Sequence, residues 1–217
     1  MWRKPFAEAL GAMLLTACVV GSGIMGQRLA NGNAAIALLA NTLATVAVLG
    51  ALIATLGPIS GAHFNPVVSA VAWYRRQIDA RTFTHFAIAQ VCGCCMGAML
   101  ANAMFDLPLA QASTHARSGG AMWLSELVAT LGLVLVAFRS GSFNEAAWRV
   151  PLWIGAAYWF TASTSFANPA ITVGRALSDT FAGIRPEDVA GFILAQVAGG
   201  ALGLAALGLF AERKAVS

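Results

Sequence analysis

Charge is what this chain has least of. Only 10% of its 217 residues are Asp, Glu, Lys or Arg, against 59% hydrophobic. A soluble domain of that length needs far more charge to cover its surface, so the composition excludes one. Alternating strand patterning is also missing, which argues against a transmembrane β-barrel. Cysteine is sparse, and Cys18, Cys92, Cys94 and Cys95 all fall in apolar runs, so a secreted disulfide framework is excluded. The "CGCC" at 92–95 is dense enough to suggest a soft metal. No His or carboxylate lies nearby in sequence to complete a ligand set, so no metal is expected, and small side chains that let helices approach closely explain the run. Nucleophile–base pairs in one register are lacking too. The chain is therefore expected not to be an enzyme and to need no cofactor.

What is present is apolar sequence long enough to cross a bilayer. A helix needs roughly 20 residues to span the hydrocarbon. Six stretches qualify, at about 6–25, 34–57, 83–104, 121–138, 146–164 and 188–210. The formal charge of +4 reads as a topology signal and not as an affinity for nucleic acid. With the N-terminus inside, one face holds Arg3, Lys4, Arg75, Arg76, Arg81, Arg139, Arg149, Arg213 and Lys214, and the other only Arg28, Arg117, Arg175 and Arg185. That asymmetry fits the positive-inside rule, with both termini cytoplasmic and the chain multi-pass in the inner (plasma) membrane. "LTAC" at 15–18 imitates a lipoprotein cleavage site. The run before it carries Glu8 and continues apolar through "VVGSGIM", whereas a cleaved h-region is shorter and uncharged, so the first span is expected to stay.

The chain repeats itself. "HFAIAQVCGCCMGAML" (85–100) aligns without gaps to "GFILAQVAGGALGLAA" (191–206), and the Glu8 span loosely parallels the Glu126 span. The chain reads as one domain of two halves, about 1–105 and 118–212. Each half has three spans, an odd number, so the halves sit upside down relative to each other. Such repeats bring their equivalent special segments to the membrane midplane. Here these are "AHFNPVV" (62–68) and "FANPA" (166–170). Asn is a strong N-cap, and Pro suits the first helical position. Asn65-Pro66 and Asn168-Pro169 therefore start two short helices that enter from opposite faces and meet N-terminus to N-terminus. Irregular backbone at that depth must line a wet cavity or lie buried in protein. Gly57/Gly61, Gly93/Gly97 and Gly199/Gly203 have the spacing of close helix packing.

The paired motifs, with a glutamate-led span before each, resemble the aquaporin, or major intrinsic protein, family over nearly the whole chain. The resemblance implies an all-α membrane fold of six transmembrane helices plus two re-entrant half-helices. It also implies a homotetramer in membrane lipid, one pore per protomer, passing water or small neutral solutes and excluding protons. Asn65, Pro66 and Val67 (where the family usually has Ala) and Asn168, Pro169 and Ala170 would form the two pore motifs. Glu8 and Glu126 would accept hydrogen bonds from the re-entrant loops; a proton relay is the sharper alternative. His63 matches the family's loop histidine and would order that loop. His85 and His115 read as interfacial or solvated.

Water-selective members narrow the outer pore with an aromatic, a histidine, a small residue and an arginine. The family's spacing puts those positions at Thr45, Ala156 (or Gly155 one residue earlier), Ser165 and Ile171. That set implies a wide opening, poor in fixed charge, of aquaglyceroporin type, and most resembles a bacterial subgroup associated with arsenic(III), neutral As(OH)3. Glycerol-sized polyols, water and arsenite are the solutes implied. A water-selective channel and a non-conducting scaffold of the same fold are the rivals. Arg175, four residues beyond Ile171, shares its helix face. Two readings stay open for it: reaching back to the constriction, or favouring the dipole at a helix C-terminus and snorkelling into water.

Overall fold

The computed structural model describes residues 2–210. Arg213 and Lys214, two of the cations counted on the inner face, lie outside the described residues. Among the described residues eight helices follow one another: α1 (Arg3–Leu29), α2 (Ala34–Ser60), α3 (Pro66–Tyr74), α4 (Ala80–Met104), α5 (Gly120–Arg139), α6 (Phe143–Phe160), α7 (Pro169–Arg175) and α8 (Pro186–Leu209). Five of them, α1, α2, α4, α5 and α8, are long and apolar enough to cross a membrane. α6 is shorter, at 18 residues, and carries Glu145 and Arg149 in its first two turns. It also ends at Phe160, short of the expected 164, because Thr161 is extended (φ −108, ψ 143).

Local chemistry sets the helix starts. Asn33, Asp79 and Ser142 cap α2, α4 and α6 through side-chain oxygens that accept from backbone N–H groups. Asn65 and Asn168 do the same for the half-helices α3 and α7, each followed by Pro. Packing is pseudo-symmetric: α1 lies on α4 as α5 lies on α8. A Cβ on Gly93 or Gly97 would strike the Ala9 or Met13 carbonyl, and one on Gly199 or Gly203 the Leu127 or Leu131 carbonyl. These glycines thus let two backbones touch. Gly61 works differently from the close packing its spacing suggested. It ends α2 at φ 101, the left-handed position that only glycine adopts without strain.

Val67 is accommodated by a partner. A Cβ on Gly200 would run into Val67 Cγ1. Gly200→Ala is therefore expected to lower the thermal midpoint through overpacking of about 1–3 kcal/mol. Adding Val67→Ala should restore it. Equal midpoints for Gly200→Ala and the unsubstituted protein would show that this contact yields.

Candidate pore and its outer end

Each re-entrant loop hangs from a buried glutamate. Glu8 and Glu126 are both fully buried. Glu8 Oε1 accepts from Ser60 Oγ (2.6 Å) and His63 N (3.0 Å), and Oε2 from Phe64 N (2.6 Å) and Gln90 Nε2 (2.8 Å). Glu126 accepts from Phe166 N (2.9 Å), Ala167 N (2.8 Å) and Gln196 Nε2 (2.6 Å). The loops need this support, because non-glycine residues sit in left-handed backbone just before each Asn. These are Ala62 (φ 50) and Phe64 (φ 48) in one loop, and Ser165 (φ 50) and Ala167 (φ 48) in the other. Such conformations cost about 1–3 kcal/mol each and persist only where the surroundings hold them.

The two asparagines are tied across the junction. Asn65 Oδ1 caps its own helix at Val67 N, while its Nδ2 donates to the Ala167 carbonyl (2.7 Å). Asn168 Oδ1 takes Ala170 N and Ile171 N, and its Nδ2 donates to the Phe64 carbonyl (2.8 Å). These partners fix which amide atom is nitrogen. An amide nitrogen carries two hydrogens, so each Asn keeps one N–H beyond its bond to the opposite loop. The opposed positive ends of α3 and α7 disfavour a cation between them.

Both asparagines line one cavity of about 790 Å³. It opens on the face that holds Lys4, Gln77 and Phe143 and runs past His63, Asn65 and Asn168. On α2 its lining stops at Thr45, on α6 at Tyr158 and on α7 at Arg175. His63 Nδ1 lies 3.0 Å from Ser69 Oγ, which accepts from Gln90 Nε2, so the loop histidine joins the Glu8 network. His85 is half-buried near the start of α4, and His115 is exposed in the loop after it. All four cysteines are free, with Cys92 exposed on the outside of α4, and no metal-binding cluster occurs among the described residues.

A channel cavity bounded by two opposed, asparagine-capped half-helices fits the sequence comparison. The profile described as "MIP: Major intrinsic protein" matches residues 1–163. The chain belongs to the major intrinsic protein family. The profile match ends before Asn168, but one relative spans both motifs. Aquaglyceroporin AqpS of Rhizobium meliloti (strain 1021) is 50% identical over 205 residues, 94% of this chain and 88% of its own. Human aquaporin-2 is 31% identical over 144 residues, 64% of this chain and 51% of its own. The aquaglyceroporin from Plasmodium falciparum shares the fold, with a TM-score of 0.76 at 18% identity over 96% of this chain and 94% of that one. The molecule is thus a multi-pass membrane protein of a channel family.

Of the residues expected at the constriction, Thr45, Ser165 and Ile171 line the cavity and are buried. Ala156 does not. It is exposed on the outside of α6, and Gly155 faces Val46 and Thr42 of α2. The α6 residues that face the cavity are Phe143, Ala146, Val150, Ile154 and Tyr158. Their three- and four-residue steps mark one face of the helix, which carries Tyr158 and not position 156. Tyr158 is buried, with its hydroxyl 3.4 Å from that of Thr45. The Ser165 hydroxyl is buried without a hydrogen-bond partner among the described residues.

Arg175 also lines the cavity, so one guanidinium stands beside Thr45, Ser165 and Ile171. Its side chain is buried, not snorkelling into water: relative exposure is 3%. Nε donates to the Ala182 carbonyl, and the guanidinium carbon lies 3.3 Å from the centre of the Phe166 ring. Its terminal nitrogens have no acceptor among the described residues, which leaves four N–H donors beside the cavity. Arg117 lies against the same ring at 5.1 Å, but each of its three guanidinium nitrogens already donates to a carbonyl, those of Gly183, Ser163 and Phe181. Burial pushes Arg117 down to about 10, partly offset by the Glu126 carboxylate.

Proposed function

We propose that this protein is a passive channel for glycerol-sized neutral solutes and water, and that Thr45, Ser165, Ile171 and Arg175 form its selective outer layer. The observation that carries this reading is the position of Arg175. The family's arginine place holds Ile171, and a buried guanidinium with uncommitted donors lies one turn further along α7. A cation there repels cations and offers hydrogen bonds to solute oxygens. Thr45 and Ser165 add hydroxyls, while Ile171 and Phe166 supply an apolar side, a combination suited to a polyol with carbon on one face. The 50% identity to a protein named an aquaglyceroporin supports the same solute class.

The protein would sit in the inner (plasma) membrane with both termini cytoplasmic, following the basic excess on the face of Arg3, Lys4, Arg75 and Arg76. It would assemble as a homotetramer in lipid, each protomer carrying its own pore, and catalyse no reaction. Stopped-flow swelling of vesicles against water, glycerol, urea and As(III) tests the reading. Glycerol flux well above bare lipid is expected. Water flux alone would make it a water-selective channel, and no flux of any solute would make it a scaffold.

A further inference from the structure

We propose that a recess beside the mouth of the cavity, walled by Lys4, Arg76, Gln77 and Trp73, binds a phosphate group, carried by an anionic lipid or free in solution. The recess holds about 550 Å³ between the start of α1, the end of α3 and the start of α4, and Ile78, Asp79 and Thr82 complete its lining. Two cations from separate elements line it. The salt bridges among the described residues are Glu145–Arg149 and Arg185–Asp188, so neither Lys4 nor Arg76 is paired with a carboxylate. Arg76 also parts from its neighbour. Its backbone is left-handed (φ 58), which breaks the line of α3. Arg75 lies over the Phe138 ring at 5.7 Å, while Arg76 lines the recess.

The carboxylate in the wall, Asp79, is engaged elsewhere: its Oδ1 caps α4 by accepting from Thr82 N (2.7 Å). Two unpaired cations against one committed carboxylate leave the recess net positive. A guanidinium offers a planar fork that matches phosphate oxygens, an ammonium a mobile point charge, and the Gln77 amide a further donor. A neutral solute would leave both cations without a counter-charge. The surroundings fit a lipid as the carrier. Trp73 is half exposed and stacks on Phe83 with ring centres 5.4 Å apart, and Tyr74, Trp2 and Phe6 are more exposed still. Such aromatics gather at the headgroup level of a membrane, and basic pockets on the cytoplasmic side take lipid phosphates. Lys4, Gln77 and Ile78 line the channel cavity as well as the recess, so a bound phosphate would stand at the channel's entrance.

The test is isothermal titration of the full-length protein in detergent with dihexanoyl phosphatidylglycerol and with inorganic phosphate, separately and in competition. Two double variants remove the same charge from the same basic face. Lys4→Gln with Arg76→Gln acts inside the recess, and Arg3→Gln with Arg139→Gln outside it. All four side chains are exposed, so neither pair disturbs the packed interior. The recess variant should bind phosphatidylglycerol about tenfold more weakly, and the outside variant as tightly as the unsubstituted protein. Displacement of the lipid by phosphate assigns the site to the phosphate group whatever carries it, and binding of the lipid without displacement assigns it to the headgroup in its lipid. Equal losses in the two double variants would reduce the effect to diffuse attraction by a basic face and overturn the proposal. Unchanged affinity in the recess variant, or binding of neither probe to the unsubstituted protein, overturns it as well.

Discussion

Glu8→Ala is expected to unfold the first re-entrant loop and abolish flux. Four donors converge on that carboxylate in a fully buried site: the Ser60 hydroxyl, the His63 and Phe64 amides and the Gln90 side chain. A buried donor left without a partner costs about 1–3 kcal/mol. The losses will not add fully, because the loop can move, but movement releases Ala62 and Phe64 from the left-handed backbone that places Asn65. Glu8→Gln should be the milder change. It keeps one acceptor oxygen and sets an NH2 group against two of the four donors. Thermal unfolding in detergent, measured beside vesicle flux, separates the possible roles. A lower midpoint with lost flux, greater for Ala than for Gln, is the scaffold result. A preserved midpoint with altered proton permeability would make Glu8 a relay. Glu126→Ala should act on the Asn168 loop in the same direction, since Phe166, Ala167 and Gln196 all donate to it.

Arg175→Ala should change what the channel excludes. The guanidinium is the one cation among the described residues that both lines the cavity near its outer end and keeps its terminal donors uncommitted. Without it, the dipoles of α3 and α7 remain as the positive features on the path. Leakage of monovalent cations should rise by about tenfold. Expression in the membrane should be normal, because the side chain is directed inward. Some stability should also be lost, since the stacking on Phe166 and the bond to the Ala182 carbonyl go with it. Arg175→Lys should restore little. An ammonium is a compact, strongly hydrated charge without the planar surface that lies on the ring. Lower thermal stability with unaltered cation exclusion would assign Arg175 to structure and remove it from the selective layer.

Much of this molecule was legible in one dimension. Hydropathy located the helices because lipid tolerates no unsatisfied backbone, so long apolar runs had to be helical. Asn-Pro located the two half-helix starts, since capping is decided by adjacent residues; Asn65 and Asn168 accept from the amides two or three positions on. The paired glutamates were visible as charges too costly to place in lipid without a purpose. Spacing along the chain says less about the fifth span. The family's spacing gave Ala156, or Gly155, but α6 stops at Phe160, and the irregular segment to Asn168 passes through left-handed residues at Thr164, Ser165 and Ala167. A helix rotates by a fixed angle per residue, and a loop does not, so its length says nothing of which face of α6 meets the cavity. Tyr158 faces it for that reason. Arg175 is similar. Sequence put it one turn beyond Ile171, but only folding brought Phe166 beneath it and the Ala182 carbonyl beside it, and those contacts hold a long, flexible side chain against the pore instead of in water.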